Sequence, residues 1–359
     1  MKTKPILLAA ALPALLATGA ALADGPRNYL YIVGSTTVAP FSEDVAKHIA
    51  KSAKLKPPLL ESNGTNGGFT LFCEGVGMDY ADIINASRPI KPSEFATCQN
   101  NGAGELLEVK VGYDGIIIVN DKKAKPIELT RKELYLALSK HVPDPACKQQ
   151  PSCDTLVANP YKTWKQINPA LPDVKIEVFG PPVSSGTAEV FAEAVTEVGC
   201  DSYPALAAKR AKNLKEYNRI CHNLREDGVY FEETSENIPS QLETRPNAVA
   251  ILNYSRFKEN TARLQAAKLD GVLPSYDSIA TMTYPVSRPL YFYAKKAHVD
   301  RIPGFKAYLA EFTNDKAVGP KGYLLAKGLI AMQPQEQKTF AANAKELKAM
   351  TLDAADRKL

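Results

Sequence analysis

The apolar run Tyr29-Leu-Tyr-Ile-Val33 passes through Gly34-Ser-Thr-Thr37 straight into a segment with Phe41, Val45 and Ile49 at helical spacing. A buried strand joined to a helix by so few small residues calls for a sheet with helices packed on its faces. The unit recurs. Val174-Lys-Ile-Glu-Val-Phe179 reads as a strand that leads into Gly180-Pro-Pro-Val-Ser-Ser-Gly-Thr187. A helix then carries Val190, Phe191, Ala194, Val195 and Val198, with Gly199 as its expected stop. Gly115-Ile-Ile-Ile-Val-Asn120 is a further strand, and Ala248–Leu252 and Leu290–Tyr293 are strand-like patches. The Pro- and Cys-rich stretch from Val142 to Pro160 reads as a surface excursion. The pattern is α/β. With no internal repeat and no low-complexity linker, it predicts two lobes that share strands.

Composition narrows the class. The 359 residues are 45% apolar and 23% charged, which suits a packed core and not a disordered chain. Lys2 and Lys4 precede an apolar stretch from Ile6 to about Thr18 and then Ala21-Leu22-Ala23. That order predicts a secretory signal peptide over residues 1–23, too short and too interrupted by Pro13 for the ~20 apolar residues of a membrane span. Asp24 follows the cleavage site where a bacterial lipoprotein would need cysteine, so a periplasmic address without a lipid anchor is expected. Loss of the two lysines takes the net charge from +5 to +3, and no dense basic run interleaved with aromatics argues for nucleic acid.

The six cysteines fit an oxidising compartment. Neighbour pairing predicts Cys73–Cys98, Cys147–Cys153 and Cys200–Cys221, among the 15 connectivities that six cysteines permit. A metal site is not expected: there is no CxxC pair, and His222 is the one histidine near a cysteine in sequence. No cofactor is implied.

Three turns could carry chemistry: Gly34-Ser35-Thr36-Thr37, Ser62-Asn63-Gly64-Thr65-Asn66-Gly67-Gly68 and Ser184-Ser185-Gly186-Thr187. Each offers hydroxyls and backbone N–H groups at a helix start, where the helix dipole favours an anion. Each could equally be a plain N-cap; three in one secreted chain point to convergence on one ligand. A fourth segment, Asp82-Ile-Ile-Asn-Ala-Ser-Arg-Pro-Ile90, places Ser87 and Arg88 before a proline, hence in extended backbone. There a guanidinium could grip a tetrahedral oxyanion with two parallel bonds. Catalytic patterns are poor. Ser184 and Ser185 lie in no G-x-S-x-G elbow, none of His48, His141, His222 and His298 is near them in sequence, and no G-x-x-x-x-G-K-[ST] phosphate loop occurs.

These segments, in order, resemble the periplasmic phosphate-binding proteins of phosphate ABC transporters, the PstS family and its SphX-like branch. The matching stretches include Val33-Gly-Ser-Thr-Thr-Val-Ala-Pro40, Gly64-Thr-Asn-Gly-Gly-Phe69, Phe72-Cys73, Asp82–Ile90 and Tyr113-Asp-Gly115. Trp164, Ile167-Asn-Pro, Leu171-Pro172, Phe179-Gly-Pro, Ser185-Gly-Thr187, Tyr284-Pro and Arg288-Pro-Leu290 continue the series. The resemblance implies a type II periplasmic binding fold with two hinge crossings. Lobe I would hold 24–112 plus 289–359, and lobe II 113–288. It implies phosphate contacts at Thr36, Thr37, Thr65, Ser185, Gly186 and Thr187, to which the reading of the turns and of the Arg88 segment adds Ser35, Ser87 and Arg88. The partner it implies is a membrane permease, with the receptor itself a monomer outside the bilayer.

One departure bears on selectivity. Enterobacterial members carry aspartate where Arg88 stands and an arginine near the start of the Ser-Gly-Thr loop, where this chain has Pro181. Asp114 is then a candidate proton acceptor, or equally a structural aspartate near the hinge. A site of donors alone would not separate phosphate from sulfate. The rival readings are therefore a receptor for another tetrahedral oxyanion and a secreted phosphate-ester hydrolase using a Ser/Thr turn.

Overall fold

The computed structural model describes residues 27–53, 56–147, 155–183 and 185–352. The segment read as a signal peptide lies outside the described residues. In chain order the elements that position the site begin with β1 (Tyr31–Gly34), α1 (Ala39–Ala53), β2 (Leu59–Glu61), α2 (Gly64–Phe72), β3 (Ile83–Ala86), α3 (Pro92–Asn100) and β4 (Leu106–Asp121). Then come β5 (Val178–Gly180), α4 (Gly186–Phe191), β6 (Tyr230–Glu232), α5 (Ile238–Thr244), β7 (Val249–Asn253), α6 (Tyr254–Glu259), β8 (Ser287–Lys295) and α7 (Pro334–Lys345).

Strand order in the main sheet is β2-β1-β3-β8-β4-β7-β5-β6, with Leu264–Ala266 also paired to β4. The strand expected at 115–120 is the C-terminal part of the 16-residue β4. Glu108 and Lys110 masked its beginning, because they lie on the half-exposed face while Leu107, Val109 and Val111 are buried. Conversely, the strand expected at 174–179 is confined to Val178–Gly180.

Two strands cross between the halves of this sheet. β4 and β8 pair antiparallel, with Gly115 opposite Ser287, Asp114 opposite Arg288 and Tyr113 opposite Pro289. On one side, β1 is parallel to β2 and β3, and β8 is antiparallel to β3, so β1, β2 and β3 run with β4. On the other side β7 is antiparallel to β4 and parallel to β5, which is parallel to β6. The C-terminal ends of β1–β3 therefore point toward those of β5–β7. In open α/β sheets the carboxyl ends of strands are where ligands bind.

Each half has its own core. Ile32, Val45, Phe292 and Phe312 belong to one apolar cluster of the first half, and Phe69, Phe72 and Tyr293 to a second. Ile117, Trp164, Val178, Tyr217 and Ile251 belong to the core of the other. The C-terminal segment touches both: Leu329 packs in the first half, Ile330 and Met332 in the second. The helix that begins at Gly186 does not stop at Gly199. It runs through a π-turn at Ala192–Thr196 and on to Asp201. A Cβ on Gly199 would lie 2.4 Å from the Arg131 carbonyl oxygen, so the glycine serves close helix packing, and Val198 is exposed instead of buried.

The Cys73–Cys98 and Cys200–Cys221 bridges form as expected. The third expected bridge ends at Cys153, outside the described residues. No helix among the described residues is long and apolar enough to cross a membrane, and they contain no cluster of three or more His, Cys, Asp or Glu suited to a metal ion.

Candidate anion site

The first turn follows β1 and is tied to its neighbours by backbone. Ser35 N–H donates to Asn85 O at 2.7 Å, and its Oγ accepts from Thr37 N–H at 3.2 Å. Asn63 Oδ1 accepts from Gly34 N–H at 3.0 Å, which draws the second turn against the first. Gly34 has φ +112, and a Cβ on Gly68 would sit 2.4 Å from Gly34 Cα. Two glycines facing each other thus let α2 approach β1 more closely than side chains would permit.

The second turn meets the end of β3. Thr65 and Ser87, both buried, bond hydroxyl to hydroxyl at 3.1 Å, and Ser87 N–H donates to Thr65 Oγ1 at 3.1 Å. Arg88 is buried and donates both arms of its guanidinium to Glu94, at 2.9 and 2.6 Å, and one arm also to Asn66 Oδ1 at 2.5 Å. Its charge is thus balanced within its own turn, by a carboxylate from the first turn of α3 that the sequence reading did not connect with it. The third turn caps its own helix: Ser185 Oγ accepts from Ala188 N–H at 3.2 Å, just ahead of Gly186 and Thr187. Among the described residues no hydrogen bond links Ser185 or Thr187 to the first two turns. Tyr230 OH donates to Pro181 O, and Val183 N–H to Glu232 Oε1, fixing this loop to β6.

Where the strands cross, a second arginine enters that sequence reasoning did not place in the site. Arg288 Nε and Nη2 both donate to Asp114 Oδ2, at 3.2 and 2.8 Å, and Nη2 also donates to Thr37 Oγ1 at 2.9 Å. Both charged residues are buried. Arg288 Nη1 is a buried donor without a hydrogen-bond partner among the described residues. A signal for it existed: Ser-Arg-Pro occurs twice, at 87–89 and at 287–289, and in each case proline holds the arginine in extended backbone. Burial pushes the Asp114 pKa up, against the opposing charge and hydrogen bonds of Arg288 and the Gly115 backbone.

Thr36, Thr37 and Asp114 line a cavity of about 480 Å³ whose far wall comes from the second half, through Ser235, Glu236, Asn253 and Arg256. It offers hydroxyl and amide donors with a buried guanidinium behind them, an arrangement suited to a small anion. The structure brings Ser35, Thr36, Thr37 and Asp114 to one place and Thr65, Ser87 and Arg88 to an adjoining one.

Comparison with known proteins agrees with this architecture. The pattern of the PBP superfamily domain matches residues 20–316. Protein SphX of Synechocystis is 28% identical over 301 residues, 82% of this chain and 77% of its own. The phosphate-binding protein PstS of Staphylococcus saprophyticus is 26% identical over 289 residues, 79% of this chain and 75% of its own. The crystal structure of a possible phosphate binding protein from Planctomyces limnophilus superposes with a TM-score of 0.64 at 23% identity, covering 90% of this chain and 99% of that one.

Proposed function

The chain belongs to the PBP superfamily domain family and has its two-lobe type II fold, and from that premise we propose that it captures inorganic phosphate between its lobes and delivers it to an ABC permease. The observation that carries this reading is the buried Arg288, bonded to Thr37 at the crossing strands, with a donor that has no hydrogen-bond partner among the described residues, behind a cavity that the first turn shares with the second half. Arg288 supplies the fixed charge, Ser35, Thr36 and Thr37 the first-lobe donors, and Ser185, Gly186 and Thr187 the donors that join on closure. Thr65 and Ser87 hold the second turn, with Arg88 locking it through Asn66 and Glu94. The lobes are 24–112 with 289–359, and 113–288, closing about the β4–β8 crossing. The mature protein works as a periplasmic monomer after removal of residues 1–23, and it is a receptor without a chemical step of its own.

The test is calorimetry on protein unfolded and refolded to strip bound anion, titrated with phosphate and with sulfate in separate runs. Tight 1:1 binding of phosphate with weak or absent sulfate binding is the expected result. Equal binding would make the chain a general oxyanion receptor, and silence to both would overturn the assignment. Release of phenol from an aryl phosphate that disappears in Ser185→Ala would make it an enzyme instead.

A further inference from the structure

The cavity wall from the second half has an unusual charge pattern for an anion site. Glu236 and Glu259 line it together with Arg256, opposite Thr36 and Thr37. Arg256 donates to both carboxylates, to Glu236 at 2.7 Å and to Glu259 at 2.6 Å. The turn from Gly180 to Thr187 has no basic residue, so Arg256 is the one second-half cation among the described residues lining this cavity. Lys327 also lines the cavity, from the C-terminal segment, but it is paired with Asp44 at 3.6 Å. An anion held by Arg288 and Thr37 would thus face two carboxylates that on their own wall only Arg256 offsets.

The bonds that hold Arg256 are weak ones to exchange. Its side chain is 33% exposed, and those of Glu236 and Glu259 are 63% and 49% exposed. Ion pairs in that setting contribute little, because water already solvates both partners. A guanidinium also has enough donors, in a planar fork, to keep Glu259 while turning another face to a new acceptor. Arg256 sits in α6, directly after Asn253 at the end of β7, so lobe closure would carry it toward Thr37 and Arg288.

We propose that Arg256 exchanges Glu236 for the bound anion on closure, and that Glu236 is the competing carboxylate that tunes the affinity. The proposal rests on the phosphate-receptor reading and adds to it a residue that positions the second lobe on the ligand. The exchange moves no covalent bond and needs no proton transfer.

The test is calorimetry with inorganic phosphate on four proteins: wild type, Arg256→Gln, Glu236→Gln and the double variant. Loss of a charge-assisted bond predicts about tenfold or greater weakening in Arg256→Gln. Glu236→Gln, which removes the competitor, is expected to strengthen binding by about two- to fivefold, and that gain should vanish in the Arg256→Gln background. Arg256→Gln binding within twofold of wild type would overturn the proposal. So would a Glu236→Gln change that is absent, or one that persists undiminished in the double variant, since direct repulsion would then be its cause. Wild type silent to phosphate is a separate outcome: it refutes the receptor reading, and this inference falls with it.

Discussion

Arg288 and Asp114 are direct cross-strand partners on β8 and β4, joined at 2.8 and 3.2 Å at the point where both strands pass from one lobe to the other. The same guanidinium holds Thr37 of the first turn. One buried pair thus links hinge geometry to the candidate anion site. A ligand that draws on Arg288 acts on a residue of both crossing strands at once.

A buried pair broken on one side leaves an uncompensated charge. Arg288→Met and Asp114→Leu are each expected to lower unfolding stability by about 3–5 kcal/mol. The combined Arg288→Met, Asp114→Leu variant should recover most of that loss while binding phosphate poorly. Urea unfolding of the four proteins checks this; simple additivity of the single losses would show that the two do not act as a pair.

The Gly34–Gly68 approach predicts a sharp contrast between adjacent glycines. A Cβ at Gly68 would lie 2.4 Å from Gly34 Cα, whereas one at Gly67 meets nothing nearer than Asn63 at 3.6 Å. Gly68→Ala should push α2 off β1, with about 1–3 kcal/mol lost and phosphate binding weakened as Thr65 moves. Gly67→Ala should be neutral or slightly stabilising. Thermal unfolding and phosphate titration of both variants decide it, and equal behaviour of the two would refute the argument.

Lys295 is fully buried on β8, with its ammonium 4.7 Å from the centre of the Phe72 ring and no hydrogen-bond partner among the described residues. Burial pushes its pKa down to about 8, with Asp82 opposing. Below pH 8 the lysine is charged in both folded and unfolded chains, so its burial cost is constant. Between about pH 8 and the unfolded value near 10.4, only the unfolded chain keeps the proton, so this contribution to stability rises with pH. Lys295→Met should therefore be more stable than wild type at pH 7, by roughly 2–3 kcal/mol. That gap should narrow by pH 10. Denaturation of both proteins at the two pH values is the check, and a gap independent of pH would sink the explanation.

Gly328 has φ +90 and lies so close to α6 that an added Cβ would overlap Ser255 Cβ, at 1.8 Å. Gly328→Ala combines left-handed backbone strain with a clash between the C-terminal segment and the second lobe. A loss of at least about 1 kcal/mol is expected. Ser255→Gly in the same chain should return only the part of the clash due to Ser255 Cβ and Oγ, because the added Cβ would still lie 2.4 Å from Ser255 Cα, and it leaves the backbone portion. Melting temperatures of the single and double variants measure the division, and no rescue would place the whole effect in the backbone.

Much of the architecture was legible in local sequence, for a physical reason. The Tyr29–Val33 run, the helical face of Phe41, Val45 and Ile49, and the Ser/Thr/Gly turns between them depend on interactions within a few residues. Two of the disulfides followed from the same short-range logic. The charge assignments did not. Arg88 and Arg288 share the tripeptide Ser-Arg-Pro, yet one is balanced by Glu94, six residues on, and the other by Asp114, 174 residues away. Local sequence cannot distinguish these cases, because a guanidinium's role is set by the carboxylate that reaches it through space. Short-range patterning is enough for an α/β chain with Ser/Thr/Gly turns at its helix starts. Tertiary structure decided which arginine stands at the crossing, that Gly199 packs a helix instead of ending one, and that Ile330 and Met332 join the second core, since each depends on groups that only the folded chain brings together.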